Sequence, residues 1–180
     1  MPSKSNPSKS KILVRAADAE LPMPGGNHTP QENKNLDLVG TFYNFHEARD
    51  DEGLLSTLTE DCDYVIGAGA SETSVPYHGT YHGKAQIAAY LLKKRTFTIR
   101  PFCGMRTSAL VDGPFVVIFG KVEDQFATSH FRIHWCPFLQ FFVVDETQNL
   151  ISRMEYFVDT AATAMAWDRV IKNGTPANKT

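Results

Sequence analysis

The segment from His130 to Val144 reads HFRIHWCPFLQFFVV, a stretch rich in aromatic and branched side chains with no glycine. A strand sends alternate side chains to opposite faces. Counted that way, Phe131, Ile133, Trp135, Pro137, Leu139, Phe141 and Val143 form one wholly apolar face. His130, Arg132, His134, Cys136, Phe138, Gln140 and Phe142 form the other, which mixes basic and amide groups with aromatics. The apolar face needs cover. The mixed face suits the wall of a pocket better than a plain solvent face.

Composition narrows the partners. The chain has 180 residues, 42% hydrophobic and 21% charged. That is the profile of one globular domain able to bury a core without staples. A net charge of −2 and a pI near 6.3 argue against a nucleic-acid partner, which calls for a basic stripe. No apolar run approaches the ~20 residues needed to cross a bilayer, so no membrane partner is expected. The Ser/Lys/Pro-rich start lacks the apolar centre of a signal peptide. Cys62, Cys103 and Cys136 are odd in number, lack metal-ligand spacing and read as buried reduced thiols. The expectation is a cytoplasmic protein with no metal and no cofactor. No phosphate loop or G-x-S-x-G elbow is present.

Residues 1–32 read as a disordered leader and 173–180 as a frayed tail, leaving a domain over 33–172. Leu36, Val39, Tyr43 and His46, with Leu38, Phe42 and Phe45, make a wide apolar stripe on a first helix beginning near Asn33. A short helix over Glu52–Leu58 follows, with Leu54, Leu55 and Leu58 inward. Next come a strand over Cys62–Gly67 and a Gly/Ser/Thr loop. His78 and His82 then flank a loop leading to a third helix, Lys84–Lys94, whose basic end complements the helix dipole. Strands at about 96–111, 114–126, 129–144 and 149–159 follow, with turns at Asp112-Gly113 and Asp145–Gln148. A last helical segment runs over Thr160–Lys172. This order predicts an α+β fold: a cone-shaped, curved, mostly antiparallel sheet with three N-terminal helices packed on its concave face. A small-molecule pocket is expected at the wide end.

Three phrases carry a resemblance. Ala48 to Cys62 (ARDDEGLLSTLTEDC) resembles the acidic helix-turn-helix of nuclear-transport-factor-2-like, SnoaL-like proteins. His82-Gly83-Lys84-Ala85-Gln86-Ile87 is similar to the start of their third helix. Leu150 to Asp159 (LISRMEYFVD) is similar to their last strand. The resemblance covers about Leu36 to Asp159. It implies a curved α+β barrel and a homodimer formed through the sheet. The superfamily spans ketosteroid isomerases, polyketide cyclases, scytalone-type dehydratases and non-catalytic members, so function must come from the site. The ketosteroid-isomerase pattern is lost. Its base falls on Ile66, its first-helix hydroxyl donor on Phe42 and its second acid near Gln140. The pocket carboxylate of the polyketide cyclases falls on Glu155 or Asp159, depending on the register of the last hairpin.

The leading reading is a cofactor-independent acid-base enzyme: a dehydratase, cyclase or isomerase. Its substrate would be a small polycyclic or polyketide-like carbonyl compound. His134 or His46 would move the proton, because a neutral imidazole can both give and take one. Tyr64 shares the face of Ile66 and would hydrogen-bond the reacting oxygen. Arg132 and Gln140 would hold negative charge there, and Phe42, Phe138 and Ile66 would line the substrate. Against each role stands a plainer one: a core tyrosine, a helix-edge histidine, or a solvent or dimer face. A non-catalytic ligand-binding or dimerisation module of the same fold therefore stays open, as does a partner subunit of a larger oxygenase.

Overall fold

Thr29 starts the first helix. A computed structural model describes residues 28–67, 75–97, 103–125, 132–161, 163–165 and 168, excepting the side chains of 96–97, 103–105, 107, 123–125 and 132–135. Helix α1 spans Pro30–Ala48. The Thr29 hydroxyl accepts from the Glu32 N–H at 3.2 Å, and the Glu32 carboxylate accepts from the Thr29 N–H at 2.7 Å. This capping box, with Pro30 at the first position, moves the start to Pro30 from the expected Asn33. The leader expected over 1–32 lies almost wholly outside the described residues, as does the 173–180 tail. Leu36, Val39, Phe42 and Tyr43 are buried as the stripe requires. Asn35 is buried too, and its amide donates to the Gly113 carbonyl at 2.8 Å and the Glu146 carboxylate at 3.0 Å. One polar side chain thus ties the helix start to two hairpin turns.

Helix α2, Asp51–Ser56, is shorter than expected. The Ser56 and Thr57 hydroxyls donate to the carbonyls of Gly53 and Leu54, offering the backbone an alternative to another helical turn. Leu58 is buried as expected, but it opens strand β1 (Leu58–Ile66). Strand β2, Gly79–His82, runs antiparallel to β1 where the sequence reads as a loop. Four residues with one glycine carry too little strand signal to be read from sequence. Helix α3 spans Gly83–Phe97. Gly83 has φ 75°, and a Cβ there would sit 3.0 Å from the Glu60 carbonyl, so the strand-to-helix turn needs glycine.

Strands β3 (Cys103–Asp112), β4 (Phe115–Gln125), β5 (Arg132–Asp145) and β6 (Leu150–Val158) form the expected meander. One six-stranded sheet results, in the order β2-β1-β6-β5-β4-β3, with β1–β6 parallel and every other pair antiparallel. Thr160, Ala161, Thr163–Met165 and Asp168 have helical geometry, in the region of the last expected helix. Among the described residues, no helix is long and apolar enough to cross a membrane.

Register sorts the side chains. One row across the strands reads Ala109, Ile118, Gln140, Tyr156, Ile66. The next reads Val111, Val116, Phe142, Met154, Tyr64. These rows face α1 and α3, as ring contacts of Phe142 with Phe42 and Tyr43, and of Tyr64 with Tyr90, show. The opposite face carries Leu110, Val117, Phe141 and Glu155 in one row and Phe119, Leu139 and Phe157 in another. From Cys136 to Phe142, the mixed face of the long strand is therefore inside and the wholly apolar face is outside, where Pro137 is exposed.

Candidate functional site

Gln140 is the one amide on its inner row, and α1 crosses over it. Its Oε1 accepts from the Tyr43 hydroxyl at 2.7 Å. Its Nε2 is buried and meets no acceptor at full hydrogen-bond geometry among the described residues, but the Gln140 side chain lies close enough to the Tyr64 phenol to act on it. Tyr64 stands one row away, across β6, where β1 pairs in parallel. Phe42, Tyr43, Tyr64 and Gln140, all buried, form the floor of a hollow between α1, α3 and the sheet. His46, Lys94 and Tyr156, each partly exposed, form its rim. The space in it open to a water-sized group is about 10 Å³, room for one. The depression it belongs to, counted out to open solvent, holds about 250 Å³.

Burial and nearby cations set the chemistry of these groups. Burial is the main cause that pushes the His46 imidazole down to about 3, with Lys94, Arg95, Arg106 and Arg49 adding to it. His46 is therefore neutral at working pH. Part of the residue reaches solvent, but its Nδ1 is buried. Burial also holds the Tyr43 and Tyr64 phenols well above their usual value, so both keep their protons. Behind Tyr43, Arg106 meets Glu47 at 3.0 Å and lies over the Tyr43 ring, 4.7 Å from its centroid. The floor and rim thus supply hydroxyl, amide, imidazole and ammonium donors. Among the described residues, no carboxylate lines the hollow.

No family model matches the sequence, and no curated protein matches it. Solved structures do match. An NTF2-like protein of Burkholderia xenovorans LB400 superposes with a TM-score of 0.61 at 21% identity, over 75% of this chain and 96% of that one. TerC, co-crystallised with polyporic acid, gives 0.63 at 23% identity over 77% and 98%. A protein of Jannaschia sp. CCS1, assigned by inference to the SnoaL-like polyketide cyclases, gives 0.66 at 17% identity over 79% and 96%. The chain has the nuclear-transport-factor-2-like fold.

Within that fold, four of the expected site residues come together: His46, Phe42, Tyr64 and Gln140 all line the hollow. Phe138 and Ile66 are buried on the inner face beside it but are not among its lining residues. Phe138 packs on Tyr156, ring centroids 5.5 Å apart. The side chains of Arg132 and His134 lie outside the described residues. The backbone bears on them nonetheless. Between Cys136 and Ile133, three steps of β5 face two of β4, Val122 to Asp124. Such a bulge breaks the alternation, so neither residue inherits the face of Gln140 by counting.

The register of the last hairpin answers the carboxylate question. Met154 and Tyr156 pair into the inner rows, so Glu155 is on the outer face, bound by Arg153 Nε at 2.8 Å. Asp159 is exposed beyond β6. His82 is an exposed strand residue whose Nδ1 meets Asp63 at 2.7 Å, at the sheet edge. Among the described residues, no group of three His, Cys, Asp or Glu side chains could hold a metal ion. Cys62 is buried, and burial pushes its thiol up to about 12, which fits an inert core thiol.

Sequence reasoning missed Tyr43, Lys94 and Tyr156 as site residues. Tyr43 sits beside Phe42 and supplies the hydroxyl that Phe42 lacks. Its placement in the apolar stripe concealed its polar end. Lys94 reads in sequence as a helix-dipole partner.

Proposed function

We propose that this chain is a cofactor-independent acid-base enzyme that forms an enolate from a small ring-containing or polyketide-like carbonyl compound. The observation that carries this reading is the convergence of Tyr43, Tyr64, Gln140, His46 and Lys94 on one hollow. Donors preorganised around a dry point stabilise the negative charge that develops on a carbonyl oxygen as a neighbouring C–H bond breaks. Tyr64 donates its phenol proton as a hydrogen bond, and Gln140, held by Tyr43, offers its amide. His46 takes the proton as a neutral imidazole. It is a weak base in the free protein, and the enolate forming beside it favours the imidazolium. Dehydration, cyclisation and isomerisation all pass through such an enolate. TerC, of the same fold, was crystallised with polyporic acid, which supports a planar oxygenated ring as the kind of ligand.

The test is enolisation itself. Ring ketones such as β-tetralone are incubated with the protein in D2O, and α-deuteration is followed by NMR. Wild type is expected to accelerate exchange over buffer, Tyr64→Phe to lower the rate tenfold or more, and His46→Ala to abolish the gain. The second reading, a non-catalytic ligand-binding module, is favoured by the lack of a carboxylate among the described residues that line the hollow. Ketones that bind without any faster exchange would establish it and end the enzymatic reading.

A further inference from the structure

A glutamine amide has an acceptor at one end and two donor hydrogens at the other, and the two ends have almost the same shape. Which end of Gln140 reaches the hollow decides what the hollow binds. The sheet does not decide it. Across the strands, Gln140 has Ile118 on one side, which has no polar side-chain atom, and Tyr156 on the other, which packs on Phe138. The choice comes from α1. The Tyr43 hydroxyl donates to Oε1 at 2.7 Å, which turns the amide hydrogens towards Tyr64, close enough to act on that phenol. There are two of them, so one serves Tyr64 and the other is offered to a ligand.

A phenol can also accept, so the same contact has an opposite solution with the amide reversed. The charge behind Tyr43 favours the donating phenol. Glu47 follows Tyr43 by four residues and shares its face of α1. Arg106 reaches that face from β3, meets Glu47 at 3.0 Å and lies over the Tyr43 ring, 4.7 Å from its centroid. Its side chain is 9% exposed, so water screens the cation little. A cation over an aromatic face draws on the electrons of the ring, which makes the hydroxyl a better donor and a poorer acceptor. At this phenol Arg106 outweighs Glu47. A hydrogen bond accepted at Oε1 in turn polarises the amide and strengthens its hydrogens as donors.

Building on the reading of the hollow as a ligand site, we infer that the Arg106–Glu47 pair, which is not among the residues lining the hollow, sets its specificity: through Tyr43 it holds the Gln140 amide with its hydrogens towards the ligand. The site therefore selects molecules whose inserted end is a hydrogen-bond acceptor, such as a ring ketone, over molecules of the same outline without one. Arg106 and Tyr43 are positioning residues in this account, acting through Gln140.

Calorimetry with two probes tests this: β-tetralone, and 2-methylenetetralin, in which a CH2 group replaces the carbonyl oxygen. Each is titrated into wild type, Tyr43→Phe and the double variant Glu47→Met/Arg106→Met. The double variant removes both charges together, so neither is left enclosed alone. Wild type is expected to bind the ketone at least tenfold more tightly than the methylene compound. In the double variant the ratio should fall to about threefold or less, with affinity for the methylene compound within about twofold of wild type. Tyr43→Phe should lower the ratio as far, and it decides the matter if the double variant does not fold. A ratio that survives in either variant overturns the inference and leaves the hollow as a ketone site. Equal weakening of both probes also overturns it, because the pair then holds only the shape of the wall. Equal affinity of wild type for both probes overturns it as well. Failure of both probes to bind wild type overturns it together with the reading of the hollow as a small-molecule site.

Discussion

Arg106 shows what one residue does for the site wall. Its guanidinium is almost enclosed, paired with Glu47 and stacked on the Tyr43 ring that in turn fixes Gln140. Burial raises the Glu47 carboxyl while Arg106 opposes that rise. Removing the cation leaves the carboxylate enclosed without its partner, which costs about 3 kcal/mol or more. Arg106→Met should therefore lose about that much in urea unfolding at pH 7. The loss should shrink as pH falls, because burial raises the Glu47 carboxyl and, with the cation gone, it takes up a proton more readily and no longer carries an unpaired charge. An unchanged unfolding midpoint would mean that the pair carries no weight. Neither partner is legible in the sequence as part of a site. The pair is joined across α1 and β3, and nothing local in either segment announces the other. Tyr64 and Gln140 are legible, because each is the polar member of an alternating inward set.

The elements were readable in proportion to their periodicity. Helices α1 and α3 and the four-strand meander carry long, regular patterns, and the structure contains them. Strand β2 is too short to show a pattern. The bulge in β5 is invisible in a sequence that alternates smoothly through it, so counting from Gln140 does not carry its face to Arg132 and His134. The start of α1 was legible in principle, since Thr29 and Glu32 have capping-box spacing. Loss of that cap should matter beyond local fraying, because the first turn also carries Asn35, which clamps two hairpins. Thr29→Ala is expected to cost about 1 kcal/mol, read from chemical denaturation. Faster amide exchange should then extend from the first turn of α1 to the turn at Gly113. Exchange confined to the first turn would contradict that linkage.

At the level of the whole molecule, the sheet has two faces with different tasks. The inner face meets the helices and builds the hollow. The outer face carries Phe115, stacked on Phe141 with centroids 5.8 Å apart, and leaves Leu110, Phe115 and Phe157 at 48%, 46% and 37% exposure. An apolar patch of this kind commonly marks an interface, and the expected partner is a second copy. Sedimentation should show a dimer for the wild type and a monomer for Phe115→Glu. A monomeric wild type would contradict the expectation. Stability should also carry the signature of the site. His46 and His78 are neutral in the fold, pushed down mainly by burial to about 3 and about 4, against about 6.5 when unfolded. As pH falls below 6.5 the unfolded chain takes up protons that the fold refuses, so stability falls towards those values. His46→Gln should lose less stability than wild type between pH 6.5 and 4. Parallel curves would place a charged imidazole in the hollow.

The most direct test of the donor-lined hollow is a crystal structure of the protein soaked with 2-hydroxy-1,4-naphthoquinone. The account predicts one ligand oxygen within hydrogen-bonding distance of both Tyr64 Oη and Gln140 Nε2, with the rings lying outward past His46 and Tyr156. A ligand seated elsewhere, or a hollow holding only water at saturating ligand, would contradict it.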